Sequence, residues 1–503
     1  MTPPKKVYSH YQNTAPLIDI LNILKKQQDA AFYAPGHKRG QGINSSLSSL
    51  LGKKVFQSDL PELPELGNLF IPDEAIEKAQ NLAAEAFGAR RTWFLINGSS
   101  CGLVAAILAV CNPGDKIIVP RNIHHSITTG LIMSGAVPIF LYPKCDSKWN
   151  LPLNITPSIL EATLEKYHNI KAVLIIHPTY HGICGNISEI VKITHSYNIP
   201  LLVDEAHGAH FQFHEILPSS ALSAGADLSV QSTHKVLSAM TQASMLHIQG
   251  NLIDEHRINQ TLQFIQSSSP SSLLLASLDG ARQQIVIDGQ KLLNKTIKLS
   301  KLSRNKINDI DGFSTLSLVE KKPEFYDLDI TRLTVDISSL GVSGWQVDKI
   351  LRTKLNVTAE LPMLSSLTFI ISIGNTEEDI TALVKAFLKL KKIIHSSSSG
   401  IVIPSSSCNL KSFSSLSISP RDAFFASKKI VFIEKSIGLI SGEMLCPYPP
   451  GIPTIMPGEV ITSEAIEYLL KIKQQGGIIT GCSNKDLKTI KVICSKSTNY
   501  LDS

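Results

Sequence analysis

Five short apolar runs, at 93–96, 116–120, 137–142, 172–176 and 201–203, are separated by stretches of helical periodicity, among them 103–110, 159–167 and 187–197. Runs this short and this apolar are buried strands, and the helices between them cover both sheet faces. The pattern predicts an α/β domain with a mostly parallel sheet. In such sheets ligands gather at the carboxyl ends of the strands. The loops at those ends carry Arg121-Asn122-Ile123-His124-His125, Thr179-Tyr180-His181-Gly182 and Asp204-Glu205-Ala206-His207-Gly208.

With 503 residues, 43% of them hydrophobic and 18% charged, the chain can bury more than one core. We read an N-terminal segment at 1–70, a major domain at 71–290, a small α+β domain at 291–395 and a C-terminal α+β domain at 396–503. A long helix near 273–293 bridges the major domain to the small one, and Ser-rich stretches at 396–400 and 404–419 read as linker. The net charge of +6 is dispersed without a basic block, which argues against a nucleic-acid partner. No run is long and apolar enough to span a membrane and no secretory leader opens the chain, so a cytoplasmic protein is expected. The eight cysteines form no C-x-x-C pair, and reduced thiols are expected.

Three stretches carry chemistry. Lys235, in Gln231-Ser232-Thr233-His234-Lys235, follows an apolar strand and has no neighbouring charge in sequence. An amine in such surroundings is a candidate nucleophile toward a carbonyl. Asn97-Gly98-Ser99-Ser100 joins a strand to an Ala/Leu/Val helix, a pattern that cradles phosphate, although it matches neither the dinucleotide nor the Walker fingerprint. Asp204 ends an apolar strand, where a carboxylate is costly unless paired. Lysine, acid and cradle together are what pyridoxal phosphate requires: a Schiff-base amine, a partner for the pyridine nitrogen and a phosphate grip. His124-His125 is open to two readings, a surface pair or an imidazole against a flat ring; adjacent histidines without a third ligand do not make a metal site. The basic trio in Pro35-Gly36-His37-Lys38-Arg39 either faces an anion or is a solvated loop, and the Pro-rich segment 447–453 is either a turn of a compact domain or a lip over a site.

These motifs, with Tyr448-Pro449-Pro450-Gly451-Ile452-Pro453 and Pro457-Gly458-Glu459, resemble the bacterial-type Orn/Lys/Arg decarboxylase family over nearly the whole chain, in its short form without an N-terminal wing domain. The resemblance implies a fold-type-I, aspartate-aminotransferase-like major domain and α-decarboxylation of arginine, lysine or ornithine to agmatine, cadaverine or putrescine, a step of polyamine biosynthesis. It implies that Lys235 forms the Schiff base, Asp204 pairs with the pyridinium and His124 stacks on the ring. Ser99, Ser100, Ser232 and His234 surround the phosphate, Ala206 packs under the ring and His207 lies near it. Ser267 matches a hydroxyl supplied to the neighbouring subunit, so a homodimer or higher homo-oligomer with shared sites is expected. His234 or Lys235 would protonate the α-carbon, and Glu459 is the candidate for the substrate's distal cation. Two positions depart from the family: His125 stands where lysine is usual, and Gly67 where an acid is frequent. A transaminase or aldolase of the same fold, with Arg332 or Arg352 gripping a carboxylate, and a non-catalytic relative are the alternatives.

Overall fold

The computed structural model describes residues 10–27, 29–395 and 415–494. The strands used below are, in chain order, β1 (Arg91–Leu95), β2 (Lys116–Pro120), β3 (Val137–Leu141), β4 (Ile170–Ile176), β5 (Leu201–Asp204), β6 (Leu228–Gln231) and β7 (Ser244–Ile248). The helices are α1 (Glu74–Phe87), α2 (Gly98–Val110), α3 (His125–Ser134) and α4 (Ser272–Asn308). All five expected strands form, and the helices between them lie where the periodicity put them. The chain divides into two compact units, 1–109 with 202–294 and 110–201 with 295–503.

In the first unit the strand order is β1–β7–β6–β5. β5 and β6 run parallel, in a register that sets Asp204 beside Val230. β7 is antiparallel to both β6 and β1. β5, β6 and β7 are buried from end to end, β5 through the apolar run Leu201-Leu202-Val203 and β6 and β7 with polar side chains among their apolar ones. The helix Pro16–Leu24 is pinned to α4: the Leu17 N–H donates to Asp279 at 2.9 Å, and Asp279 pairs with the buried Arg282. The basic trio proves to be committed locally. His37 Nε2 lies 3.1 Å from Asp59, Lys38 donates to the Tyr33 carbonyl, and Arg39 pairs with Asp29 at 2.8 Å. Gly67 is explained by its backbone: φ is +88°, and a Cβ there would stand 2.3 Å from the Asp73 carbonyl oxygen.

In the second unit β4, β2 and β3 are parallel neighbours. A separate four-stranded sheet of this unit is antiparallel, Arg332–Asp336 pairing with Ser366–Ile370. It packs the helices Gly344–Lys354 and Glu377–His395 around Leu333, Val335, Leu351 and Phe387. Further on, Lys428–Phe432 pairs with Thr489–Ile493 beside the helix Ser463–Gln474, around Ile433, Leu469 and Ile490. The Ser-rich linker lies outside the described residues up to 414. The expectation of reduced thiols fails at Cys145, which is disulfide-bonded; Cys101, Cys111, Cys184, Cys446, Cys482 and Cys494 carry no disulfide. Among the described residues no helix is long and apolar enough to cross a membrane.

Candidate active site

Lys235 owes its place to a strand end. β6 stops at Gln231, and the chain closes one turn of helix, Thr233–Val236, with the Lys235 N–H bonded to the Ser232 carbonyl at 3.0 Å. The parallel neighbour β5 ends on Asp204 in the same register, so acid and amine emerge at one edge of the sheet. Asp204 is 6% exposed. Burial pushes its pKa up, while the charge of Lys235 and the Ala206 N–H, 3.1 Å from Oδ1, pull it back. Lys235 Nζ stands 3.0 Å from His207 Nε2, itself on a buried ring. His207, expected near the ring, is thus the lysine's own partner, which nothing local in the sequence announces. His234 is half-buried, its Nδ1 3.0 Å from the Ala243 carbonyl, and Ala206 is buried.

The Asn97-Gly98-Ser99-Ser100 stretch forms the expected strand-to-helix turn. Gly98, at φ +77°, turns the chain from β1 into α2, whose first turn holds Ser99 and Ser100. The N–H groups of that turn have no helical acceptor, and the helix dipole favours an anion there. The Ser232 hydroxyl donates to Ser99 Oγ at 2.7 Å, which ties the lysine turn to the helix terminus. Gly102 allows this approach, since a Cβ there would lie 2.6 Å from Leu95 Cδ1 and 2.8 Å from Val230 Cγ1. Ser267 is exposed; its N–H donates to Asn97 Oδ1 of the same chain at 3.3 Å, and its hydroxyl accepts from the Ser269 N–H at 3.2 Å.

His124 and Glu459 belong to the second unit. His124 caps α3, with Nδ1 2.8 Å from Ser126 Oγ, and its ring lies 4.0 Å from that of His125. The Pro-rich segment closes over this pair. The His125 N–H donates to the Gly451 carbonyl at 3.0 Å, and a Cβ on Gly451 would stand 3.1 Å from the His124 ring. The segment is therefore a lip over His124, and Gly451 its contact point.

Glu459 departs from its expected part. It is fully buried and meets Arg121 through two bonds of 2.9 Å, Nε to Oε1 and Nη2 to Oε2, while the Met456 N–H donates to Oε2 at 2.7 Å. Arg121 also donates to the carbonyls of Pro453 and Thr454 at 2.7 and 3.0 Å. A carboxylate so engaged holds the lip in place and has no face for a substrate cation. An exposed acid of the same unit, Glu360, accepts from the Tyr180 hydroxyl beside the buried Arg332. Among the described residues no three His, Cys, Asp or Glu are grouped to hold a metal ion.

The arrangement offers an amine with a proton partner and a buried carboxylate on adjoining strand ends, with the Ser99 helix terminus tied to the lysine turn. Residues 15–332 match the model of the Orn/Lys/Arg decarboxylase major domain, and residues 409–485 that of the Orn/Lys/Arg decarboxylase C-terminal domain. The arginine decarboxylase of Bacillus subtilis is 37% identical over 483 residues, 96% of this chain and 98% of that one. That of Bacillus anthracis is 36% identical over 489 residues, 97% of this chain and 99% of that one. The crystal structure of the Francisella novicida lysine decarboxylase is similar with a TM-score of 0.83 at 25% identity, over 95% of this chain and 81% of that one. Two family models in sequence order, relatives matched almost end to end and the shared fold lead to one conclusion: this chain is a decarboxylase belonging to the Orn/Lys/Arg decarboxylase family.

Proposed function

We propose that the enzyme holds pyridoxal phosphate on Lys235 and releases carbon dioxide from arginine to give agmatine. The observation that carries the cofactor reading is the convergence of Lys235, Asp204 and the Ser99–Ser232 hydroxyl pair on one sheet edge. The residues fit the group. A buried carboxylate with one backbone donor keeps capacity for a cationic ring N–H. The first turn of α2 and two hydroxyls suit a phosphate dianion. When bound, the cofactor supplies a sink for the electron pair left as the α-carboxylate departs.

The chain's own residues do the rest. Asp204 stays ionised to the extent that Lys235 and the Ala206 N–H offset its burial. His207 Nε2 shares a proton with Lys235 Nζ, so the amine can lose and regain charge without bulk water. Lys235 is thereby better supplied than His234 as donor to the α-carbon, since His234 Nδ1 faces the Ala243 carbonyl. His124, held by Ser126 and by the lip, presents a flat imidazole with a set orientation. Arginine as substrate rests on the Bacillus relatives, both named arginine decarboxylase. A cytoplasmic homodimer lending Ser267 between subunits, serving polyamine synthesis, completes the reading.

The test incubates the purified enzyme with arginine, lysine and ornithine and measures released carbon dioxide and the amine product. Agmatine from arginine is expected, with the Schiff-base absorbance lost in Lys235→Ala. A keto acid without carbon dioxide, or preference for lysine, overturns the respective part.

A further inference from the structure

Two neighbouring pairs in the sequence, Asp204-Glu205 and Gln231-Ser232, end parallel strands. Successive side chains at a strand end point to opposite faces. The contacts divide accordingly. Asp204 interacts with Lys235 and Ser232 with Ser99, whereas Glu205 and Gln231 meet each other. Glu205 is fully buried. Its Oε1 accepts from the Ala221 N–H at 2.8 Å, and its Oε2 from the Ser229 hydroxyl at 2.6 Å and Gln231 Nε2 at 2.9 Å. Gln231 Oε1 lies 3.2 Å from His247 Nε2, and His247 Nδ1 lies 2.8 Å from Thr92 Oγ1. Gln231 uses its amide N–H on Glu205, so its oxygen accepts from His247, and Thr92 donates to the ring's other nitrogen. Burial holds His247 neutral, its pKa pushed down to about 3, which suits this single direction of donation. The ring stacks on Phe87, centroids 4.8 Å apart. One buried polar ribbon thus crosses β1, β7 and β6 and ends just past β5, with every member at most 1% exposed.

We propose that Glu205 is a positioning residue for the reaction: by clamping the end of β5 to β6 on the far face, it sets where Asp204 and the Ser232–Lys235 turn stand on the near face. Glu205 and Gln231 each share a peptide unit with a site residue, so a displacement of one side chain turns its neighbour. The Glu205 N–H, bonded to the Val230 carbonyl at 3.0 Å, adds a backbone tie at the same point. Gly208 completes the fit, since a Cβ there would lie 2.8 Å from Glu205 Cγ. A buried acid is costly compared with a packed apolar side chain, and a purely structural junction has no need of one beneath its catalytic strand ends.

The inference rests on the pyridoxal phosphate reading, and its test separates the two. Glu205→Gln, Glu205→Ala, Ser229→Ala and Leu278→Ala are compared with wild type for cofactor affinity by titration of the apoprotein, for the pH midpoint of the Schiff-base absorbance, and for melting temperature. Leu278, fully buried on α4 and no member of the polar ribbon, supplies a loss of packing alone. Glu205→Ala is expected to weaken cofactor binding about ten-fold or more and to move the absorbance midpoint, the consequence of losing all three hydrogen bonds of the clamp. Glu205→Gln is expected to recover most of both, because its amide can accept from Ala221 and donate to a Gln231 amide turned over, with His247 in its other tautomer donating to the Thr92 hydroxyl. Ser229→Ala, which removes one donor, gives a smaller change of the same sign and serves if Glu205→Ala does not fold. Leu278→Ala should lower the melting temperature and leave affinity and midpoint alone. If the Glu205 and Ser229 variants only lose melting temperature, as Leu278→Ala does, the positioning role is wrong. If wild type shows no Schiff-base absorbance, the cofactor reading fails instead.

Discussion

Replacing Glu459 strands the Arg121 guanidinium in the protein interior. Arg121 is 1% exposed and Glu459 is fully buried. Two parallel bonds of 2.9 Å join them, and the Arg121 guanidinium also holds two carbonyls of the lip. Glu459→Ala leaves a guanidinium in the core with neutral acceptors only. Breaking a buried pair on one side costs about 3–5 kcal/mol. That corresponds to a fall on the order of 10 °C in the unfolding midpoint of the unit concerned. Glu459→Gln keeps one acceptor for Arg121 Nε but turns an amide N–H toward Nη2 and the Met456 N–H, at a cost of about 1–3 kcal/mol. The double change Arg121→Leu with Glu459→Leu should recover much of the loss, because neither charge is then stranded. Urea and thermal unfolding of the three variants read these values directly, and protease nicking within 446–461 reports whether the lip loosens first. The reasoning is refuted if Glu459→Ala unfolds within about 1 kcal/mol of wild type while the KM for the amino acid rises steeply. That result would return Glu459 to the substrate.

Gly451→Ala places a methyl 3.1 Å from the His124 ring at a φ of +92°, strained for any side chain. Its kcat should fall more than its melting temperature accounts for, and a kcat/KM equal to wild type would show that the lip does not hold His124. Glu205 gives a pH dependence. Burial raises its pKa from 4.5 to about 7, against the pull of Ser229, Gln231 and the Ala221 N–H. Between those values the folded state binds the extra proton, so stability falls by about 3 kcal/mol as pH rises through the window and is level above it. Urea unfolding at pH 5 and pH 8 should show this fall in wild type and a smaller one in Glu205→Gln; equal slopes would mean that Glu205 ionises normally.

Much of the site was legible because it is written in local chemistry. A strand followed by Gly98, Ser99 and Ser100 makes a helix terminus wherever it folds, and an acid after Leu201-Leu202-Val203 must stand at a strand end. Contacts between distant segments were not legible. His207 lies 28 residues from Lys235 and meets it across the ends of β5 and β6. Arg121 and Glu459 are 338 residues apart, and only their packing shows that each is the other's counter-charge. Glu205 had a faint signal, the repeated pairing of one polar residue with another at two successive strand ends, but the ribbon to Thr92 depends on cross-strand register.

The amino-acid sequence alone therefore determined the strand–helix alternation, the places of the lysine and the acid at strand ends, and the helix start at Gly98, since each follows from periodicity and turn chemistry within a dozen residues. Tertiary structure decided which charges face one another: the lip over His124, the pairing of Glu459 with Arg121, and the clamp behind Asp204. The physical reason is that burial and partnering are properties of a packed interior, where a charge's neighbours come from strands far apart in the chain.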